Sequence, residues 1–555
     1  MLGRGSRRPR LASLAAGLAI AAVSSPFVAP AGPLVAAAPE AFVRGAAPPH
    51  WIGVRTSGGA RRLFDRRTGA TFVPRGANYQ RLLVRDGVRV SGLFSPSTWK
   101  PAAIDADLAK MEDLGFNVVR SFLDLCVEDC ISNSHGLRGA YLDHVVDYLR
   151  MARDQGIAVL LASVDVPDAG YMEHAPCCSP FGGYRNSLYF SPKGQQIGID
   201  YLTDVVRALK TRHAPLQVLM GFEIQQEEFV SADVEPLSRT SGTVHTADGT
   251  TYDMADPADK RAMVHSNVRL FVQRARAAIR GIDPGMLVTM GFFPPQHNGL
   301  VVYPKAMLRN SALDFVDFHA YPGGPSMAAT AQALGMSKPT PRPVIMGELG
   351  AFTFAYLNPR QGAWELATWQ ARSCAVGFAG WIHWLWASDD QEVYGGQEAG
   401  GVINHELSPE LRPNPCSAKG VPRNRSLDAT ATATASLPGE GPARAVDGSW
   451  QTNWNAGAGP PQHIDIRLAT ALSIDEVQLR VAQDPAGATE HRLLVRSPTG
   501  GFHVVRTFQQ ATAGGDWLVF EPRVPIQAVR TVRVSTLSSP SWVAWGEIVI
   551  YAHSP

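Results

Sequence analysis

The 555-residue chain lacks several patterns that mark large classes of protein. Its formal net charge is only +2, and no basic stripe with interleaved aromatic residues appears, which argues against nucleic acid as a partner. Beyond the N-terminus, no segment approaches the ~18 consecutive apolar residues of a membrane-spanning helix. Apolar residues still make up 45% of the chain. A globular protein of at least two domains is therefore predicted, because one hydrophobic core rarely serves such a length.

The N-terminus has the pattern of an export signal. Arginines at positions 4, 7, 8 and 10 precede the apolar run Leu11–Val23, and small residues follow through Ala38. This order is typical of a signal peptide, which we assign to residues 1–38. The run is short and rich in alanine, so a membrane anchor is the less favoured alternative. We expect a secreted monomer without stable membrane insertion.

Cysteine is scarce, and its spacing does not favour zinc. The six cysteines are Cys126 and Cys130 in one loop, Cys177 and Cys178 in another, and the isolated Cys374 and Cys416. They form neither CxxC pairs nor a zinc-ligand pattern with histidine. In an exported chain we instead expect disulfides between the two loops and between Cys374 and Cys416. The connectivity is open.

Residues 50–412 alternate short apolar runs with longer helical patterns. The runs lack the in-out alternation of a one-sided sheet, as expected for parallel strands that are buried on both faces. A (β/α)₈ barrel is predicted rather than a doubly wound sheet, because no GxGxxG or phosphate loop follows the first strand. The predicted strands are Thr71–Asn78, Phe116–Phe122, Ile157–Val164, Gln217–Ile224, Met286–Gly291, Leu313–His319, Pro343–Gly347 and Gly377–Trp384.

Three other segments complete the expected barrel. Residues 51–70 predict a capping hairpin that turns at Ser57-Gly58-Gly59. Residues 259–280 carry an apolar stripe of helical period. The polar segment Ser231–Asp256 follows the fourth strand, and it either shapes a substrate cleft or forms a surface excursion.

The composition changes after the barrel. We assign residues 413–426 to a linker and residues 427–555 to an antiparallel β-sandwich, because short β-rich runs are separated by Gly, Pro and Asp turns. The runs are His463–Leu468, Glu476–Val481, Arg492–Ser497, His503–Phe508, Trp517–Glu521, Thr531–Val534 and Val543–Tyr551.

Two glutamates stand where barrel enzymes carry their chemistry. Glu227 follows the fourth predicted strand and Glu348 the seventh. The C-terminal ends of barrel strands hold the catalytic residues. An ion pair with a barrel arginine would explain either residue alone, but their joint occurrence favours a catalytic pair.

The barrel resembles glycoside hydrolase clan A, and most of all its cellulase-like family 5. The resemblance implies a retaining β-glycosidase in which Glu348 is the nucleophile and Glu227 the acid/base. It is carried by six stretches in the expected order: Arg75-Gly-Ala-Asn78, Gly115-Phe-Asn-Val-Val-Arg120, Glu223-Ile-Gln-Gln-Glu227, Asp317-Phe-His-Ala-Tyr321, Pro343-Val-Ile-Met-Gly-Glu348 and Gly380-Trp-Ile-His-Trp384.

The same resemblance assigns supporting roles. Arg120 is expected to hold the nucleophile ionised, and Tyr321 to hydrogen-bond it. His319 would support a carboxylate or a sugar hydroxyl, unless it is an ordinary barrel histidine. Trp384 would lie under the sugar, with core packing as the alternative, and Trp386 is the weaker candidate.

One position departs from the family pattern. The residue before the acid/base is normally asparagine, which binds the substrate 2-hydroxyl, and here it is Gln226. The longer side chain leaves that contact open. Among the neighbouring acids, Glu223 is expected to lie deeper than Glu227, and Glu228 to point away.

The second domain resembles the discoidin-like, coagulation-factor C-type module that many bacterial proteins use to bind carbohydrate. The resemblance implies a structural Ca²⁺ held by the Arg444 carbonyl, Asp447, Thr452 and Glu547, with a metal-free turn as the alternative. It is carried by Ala445-Val-Asp447-Gly448-Ser-Trp-Gln-Thr452-Asn-Trp454, Ile464-Asp-Ile-Arg-Leu468 and Trp545-Gly-Glu547-Ile-Val-Ile-Tyr551.

The sequence thus predicts a secreted retaining β-glycosidase that acts on a polysaccharide or glycoconjugate without a catalytic cofactor. Two alternatives remain open. A non-catalytic glycan-binding or adhesion protein is favoured by Gln226, and a transglycosylase would use the same catalytic residues.

Overall fold

A computed structural model describes residues 49–553, except 81, 86–87, 124–128, 177–178, 293–298, 302, 323–324, 337–339, 357, 388–392, 394, 397–400 and 409–421. The predicted signal peptide, most of the predicted linker, and Cys126, Cys177, Cys178 and Cys416 lie outside these residues. Cys130 and Cys374 are each disulfide-bonded. The pairing expected from the sequence stays a prediction.

The N-terminal part contains parallel strands and several short hairpins. Its strands are β1 Ile52–Ser57, β2 Ala60–Asp65, β3 Arg75–Tyr79, β4 Leu82–Arg85, β5 Val88–Ser91, β6 Val118–Leu123, β7 Ser132–Asn133, β8 Gly136–Leu137, β9 Ala158–Ser163, β10 Leu219–Glu223, β11 Val230–Ser231, β12 Thr243–His245, β13 Thr251–Asp253, β14 Val288–Thr289, β15 Gly291–Phe292, β16 Leu300–Val301, β17 Val316–His319, β18 Val344–Glu348 and β19 Trp381–His383.

Nine of these strands form one parallel sheet in the order β14-β10-β9-β6-β3-β19-β18-β17-β15. The two end strands, β14 and β15, are separated in the chain by Met290 alone. They therefore act as two halves of one barrel strand, and the sheet closes on itself. Each predicted barrel strand overlaps one of the eight resulting positions, so the (β/α)₈ fold is confirmed.

Helices surround the sheet. They are α1 Pro101–Asp113, α2 Gly139–Asp154, α3 Tyr184–Phe190, α4 Pro192–Thr211, α5 Pro257–Ile282, α6 Pro304–Asn310, α7 Met327–Ala333, α8 Pro359–Val376 and α9 Val402–Leu407. Asp256 caps the N-terminus of helix α5, because its side chain accepts a hydrogen bond from the Ala258 amide. The helix buries the predicted apolar stripe. Among the described helices, none combines the length and the apolar character needed to cross a membrane.

The predicted hairpin closes one end of the barrel. β1 pairs antiparallel with β2 across a two-residue turn at Gly58 and Gly59, both with positive φ. Ile52 and Leu63 from the hairpin pack in one cluster with barrel-interior residues such as Val118 and Ile345 near the starts of their strands. The C-terminal end of the barrel is therefore the end left for a site.

The segment 231–256 packs largely on the outer helices. Its hairpin, β12–β13, contacts α3 and α5 through bonds from the Ala247 amide to the Phe190 carbonyl (2.9 Å) and from Asn267 Nδ2 to Thr246 Oγ1 (2.9 Å). Of the two expectations for this segment, the hairpin fits the surface excursion.

The C-terminal part is an antiparallel β-sandwich around its own apolar core. The prediction of two separate strands at 463–468 and 476–481 is wrong. They form the two halves of the single strand β23, whose register shifts between Arg467 and Leu472 let it serve different neighbours along its length. The strands are β20 Arg423–Asn424, β21 Thr430–Ala433, β22 Trp454–Asn455, β23 Gln462–Val481, β24 Gly487–Arg496, β25 His503–Thr512, β26 Trp517–Phe520, β27 Ile526–Ser538 and β28 Ala544–His553.

Helix α8 joins the barrel to the sandwich. Trp364 packs against Tyr551 with ring centroids 5.3 Å apart, and Gln361 Nε2 donates to Glu476 Oε1 at 2.8 Å. Because α8 follows the strand that ends in Glu348, the sandwich contacts an element directly connected to the candidate site.

Candidate active site

The candidate site is assembled from the C-terminal ends of the barrel strands. β6 carries Arg120, β17 carries His319, and β18 ends at Glu348, whereas Glu227 lies four residues beyond the end of β10. This is the end of the barrel opposite the β1–β2 hairpin. The buried strands therefore place polar side chains together where their apolar runs stop.

Glu348 is held from both sides. Its Oε1 accepts hydrogen bonds from Arg120 Nη1 at 2.6 Å and Gln226 Nε2 at 3.3 Å, and its Oε2 accepts one from Tyr321 OH at 2.6 Å. Burial opposes ionisation, but the nearby charges of His319 and Arg120 hold the pKa of Glu348 below its usual value. The carboxylate is therefore ionised and fixed in direction.

Glu227 faces the same space and is more exposed. Its side chain is 24% exposed, against 5% for Glu348, and its Oε1 accepts a hydrogen bond from His319 Nδ1 at 2.8 Å. One carboxylate oxygen each of Glu227 and Glu348 and a ring nitrogen of His319 lie within 4.8 Å of one another. The two carboxyl groups thus share one small space, and the more accessible one is bound by a histidine.

Arg120 anchors the floor of the site. It is fully buried and makes a bidentate contact with Glu223, with Nε to Oε2 at 2.7 Å and Nη2 to Oε1 at 2.9 Å. Its Nη1 also donates to Asn78 Oδ1 at 2.9 Å, and its Nε lies 3.7 Å from Asp317 Oδ2. The planar guanidinium fork suits this arrangement, because one cation orients several carboxylates at once.

The buried acids divide the available protons unequally. Burial raises the pKa of Glu223 to about 7 despite its contact with Arg120, and it raises the pKa of Asp317 as well. Burial opposes the charge of His319, but Glu348 and Glu227 together raise its pKa to about 9. Burial thus favours the protonated form of the two deep acids, and the neighbouring carboxylates favour the protonated form of His319, whereas the charges of His319 and Arg120 favour the ionised form of Glu348.

Close backbone packing keeps the strands in register around this cluster. Asp317 Oδ1 accepts a hydrogen bond from the Gly347 amide at 2.7 Å, and a Cβ at Gly347 would lie 2.0 Å from Asp317 Oδ2. Asn78 Nδ2 donates to the Gly347 carbonyl at 2.8 Å on the other side. Only glycine therefore fits immediately before Glu348.

The remaining predicted residues occupy different positions. Gln226 directs its amide at Glu348, and Tyr321 is bound to the same carboxylate. Trp384 is half-buried just after β19 and meets Phe122 edge-on at 5.8 Å, whereas Trp386 is fully buried in the core. Trp384 is the one of these two tryptophans that retains exposed surface.

Sequence reasoning did not assign roles to several members of the network. Asn78 and Asp317 occur in the stretches that resemble the family, but they were given no role. Glu223 was expected only to lie deeper than Glu227. Arg185 was missed: its guanidinium donates to the Glu227 carbonyl and lies 2.9 Å from Asp165. Glu228 is buried, which raises its pKa to about 8, and the expectation that it points away stays a prediction.

In the sandwich, the predicted cation ligands lie in one place. Thr452 Oγ1 is 3.0 Å from both oxygens of Asp447 and 3.3 Å from the Arg444 carbonyl, and Glu547 Oε1 accepts a bond from the Gly448 amide at 3.3 Å. Glu547 Oε2 is buried and has no hydrogen-bond partner. Burial and the charge of Asp447 raise the pKa of Glu547 well above its usual value. This oxygen set fits a hard cation, which would supply the missing charge.

A second feature of the sandwich is an exposed aromatic residue beside a pocket. Trp542 is 55% exposed and lines the pocket together with Gln483, His491 and Thr536. His491 Nδ1 lies 3.0 Å from Thr536 Oγ1, while its buried Nε2 has no hydrogen-bond partner. Trp542 thus offers an exposed aromatic face, beside which the polar groups of His491 and Gln483 are buried.

Neither a family model nor a curated protein matches the chain. Among solved structures, an exo-β-1,4-mannosidase from Opitutaceae bacterium strain TAV5 is similar over 63% of this chain and 57% of its own length, at 19% identity and a TM-score of 0.40. A β-mannanase from the blue mussel Mytilus edulis covers 66% of this chain and 99% of its own, at 15% identity and a TM-score of 0.40.

The family 32 carbohydrate-binding module of Clostridium perfringens NanJ, solved with galactose, is similar to 24% of this chain. The likeness covers 98% of that module at 15% identity, with a TM-score of 0.22.

Proposed function

We propose that the barrel is a retaining β-glycosidase in which Glu348 is the nucleophile and Glu227 the acid/base. The observation that carries this proposal is the shared space of the two carboxyl groups, with oxygens within 4.8 Å of each other. Retaining enzymes hold their carboxyl groups about 5–5.5 Å apart, whereas inverting enzymes need roughly 6.5–9.5 Å to admit a water. Nearest oxygens within 4.8 Å are compatible with the retaining spacing.

In the first step, an oxygen of Glu348 attacks the anomeric carbon while Glu227 gives a proton to the departing glycosidic oxygen. The glycosidic bond breaks as the bond to Glu348 forms. Arg120 and Tyr321 keep the nucleophile aimed at the sugar, and its lowered pKa keeps it charged. Holding the attacking group in position in this way lowers the entropic part of the barrier.

In the second step, Glu227 takes a proton from water, and the resulting hydroxide displaces Glu348 from the anomeric carbon. Two displacements restore the original β configuration. His319 Nδ1, bound to Glu227, supports the negative charge on that carboxylate whenever it is deprotonated. Trp384, half-buried beyond β19, supplies the face on which we place the sugar ring.

The proposal is tested by incubating the protein with β-linked mannan, glucan and galactan oligosaccharides and following the first product by ¹H NMR. We expect the β anomer to form first and to mutarotate later. Glu227→Ala should lose most activity on these substrates but retain much more on glycosyl fluorides, because fluoride departs without a proton. Glu112→Ala, an exposed change on α1, is the control.

Other outcomes would support the alternatives. Initial formation of the α anomer would contradict retention. Oligosaccharide binding without any hydrolysis would favour the non-catalytic glycan-binding protein, and products longer than the substrate at high acceptor concentration would favour the transglycosylase.

For the sandwich we propose a carbohydrate-binding role that keeps the barrel on its glycan, with the secreted location expected from the N-terminus. The support is the pocket beside Trp542, where an exposed indole adjoins His491 and Gln483. The apolar face of a sugar ring packs on such an exposed indole.

We further propose that Asp447, Thr452, Glu547 and the Arg444 carbonyl hold Ca²⁺ in the sandwich. Adding Ca²⁺ at about 100 times its Kd should stabilise the folded chain by about 2.7 kcal/mol and so raise its Tm by a few degrees. Differential scanning calorimetry checks this. The shift should disappear in Glu547→Gln and persist in Glu521→Gln, an exposed change in the same domain. An equal Ca²⁺-induced shift in Tm in both variants would contradict the assignment of Glu547 as a Ca²⁺ ligand.

A further inference from the structure

The loop after β18 contains an exposed aromatic residue that the proposed chemistry does not use. Phe354 is 70% exposed, a high value for a phenylalanine. It lies six residues beyond Glu348 in the chain, in the loop that leads to α8. Single exposed apolar residues need no explanation, so its neighbours decide whether it has a role.

Phe354 is the outer member of a row of rings. It stacks on Phe352 with centroids 5.1 Å apart and an interplanar angle of 18°. Phe352 in turn lies 5.2 Å from Tyr321 at 31°. The Tyr321 hydroxyl donates to Glu348 Oε2 at 2.6 Å. The row thus runs without a break from the nucleophile to solvent.

The packing of the loop keeps this row beside the candidate active site. A Cβ at Gly350 would lie 2.9 Å from the Trp384 carbonyl and 3.2 Å from Tyr321 Cε1, so the backbone passes closely between these two residues. Phe352 also packs in one cluster with Trp384 and Leu385. Tyr321 and Phe352, the inner members of the row, are therefore held in place by packing beside Trp384.

We infer that Phe352 and Phe354 form a second sugar subsite, in which the outer face of Phe354 stacks on a pyranose ring further along the substrate than the one at Glu348. The inference rests on the proposed glycosidase function. A pyranose offers a patch of C–H groups to a flat ring, and an exposed ring already stacked on another needs no reordering to receive it. The subsite selects substrates of at least two sugar rings.

The test compares an oligosaccharide with the β-glycosyl fluoride of the same sugar, which has no second ring. Phe354→Ala should lower kcat/KM for the oligosaccharide about tenfold and leave kcat/KM for the fluoride within about twofold. Phe354→Trp should keep the oligosaccharide activity. Val524→Ala, which alters an equally exposed apolar residue of the sandwich, should change neither.

A binding measurement separates this inference from the glycosidase proposal. In the Glu348→Ala background, calorimetric titration with the same oligosaccharide should give a Kd about tenfold weaker when Phe354→Ala is added. Unchanged oligosaccharide binding, or an equal loss of kcat/KM for the fluoride, overturns the subsite. Absence of hydrolysis in the wild-type protein overturns the glycosidase proposal, while the titration still decides the subsite.

Discussion

Glu348→Ala is expected to reduce hydrolysis of β-glycosides by roughly 10⁴-fold or more, the scale on which loss of a covalent nucleophile acts. The change removes the carboxylate that would form the covalent intermediate, and the two nearest acids among the described residues are already bound by other side chains. Glu223 is held by Arg120, and Glu227 is bound by His319. Steady-state rates on a cleavable oligosaccharide measure the loss.

Azide distinguishes a missing nucleophile from a damaged site. A small anion can enter the space left by Glu348 and attack the anomeric carbon from the same side. Only one displacement then occurs, so the product should be the α-glycosyl azide, which NMR identifies. We expect azide to restore turnover of a glycosyl fluoride in Glu348→Ala and to leave Glu227→Ala without an α-azide product.

The variant should remain folded, because Arg120 keeps its bidentate partner Glu223 after Glu348 is removed. A near-wild-type Tm would therefore accompany the lost activity. Wild-type rates in Glu348→Ala, with Glu112→Ala as the surface control, would contradict the assignment of the nucleophile.

Arg120→Ala is expected to have the largest effect on stability, with a loss of about 3–5 kcal/mol of the free energy of unfolding. The change removes the cation from between Glu223, Asp317 and Glu348, and it leaves these acids buried without their partner. Urea denaturation measures the loss. Arg150→Ala, an exposed change on α2, should cost less than about 1 kcal/mol.

The loss should depend on pH with a definite sign. The pKa of Glu223 is already raised to about 7 in the folded chain, above its unfolded value, so the folded state retains this proton more strongly. Without Arg120 its pKa rises further. Below about pH 7 Glu223 keeps its proton in both folded chains, so the deficit of Arg120→Ala should grow as pH rises through about 7, the folded pKa of Glu223, and shrink again on acidification below it.

Arg120→Lys separates charge from geometry. A lysine restores one positive charge but cannot reproduce the fork that binds Glu223 and Glu348 together. We expect part of the stability to return while kcat stays low, and the acidic limb of the pH–rate profile to move to higher pH as the pKa of Glu348 rises. Full recovery of kcat would show that the fork is not needed to aim the nucleophile.

Local patterns in the chain were sufficient to predict much of the architecture. Parallel strands buried on both faces leave continuous apolar runs, and every predicted run overlaps an observed barrel strand. The hairpin at Gly58 and Gly59 was readable because its turn requires positive φ, which glycine adopts readily. The prediction of two strands in place of β23 is wrong. The sequence around the register shift within this strand has no pattern that distinguishes it from a turn.

The strand-end glutamates could be named from the chain, because family stretches and strand ends mark them. The protonation of the cluster could not. Glu223 lies 103 positions from Arg120 in the chain, and Glu348 lies 228 positions from it. Their contacts exist only once the barrel has closed, and burial at that point decides which acid keeps a proton.

The sequence by itself determined the order of apolar and polar segments, and with it a closed parallel barrel followed by an antiparallel sandwich. It also placed Glu227 and Glu348 beyond the ends of strands. Only the tertiary structure decided that these carboxyl groups share one space and that Arg120 contacts three acids. It also decided that Phe354 extends the row of rings from Tyr321. The physical reason is that periodicity is a local property of a chain, whereas charge, proximity and exposure depend on neighbours that arrive from distant strands.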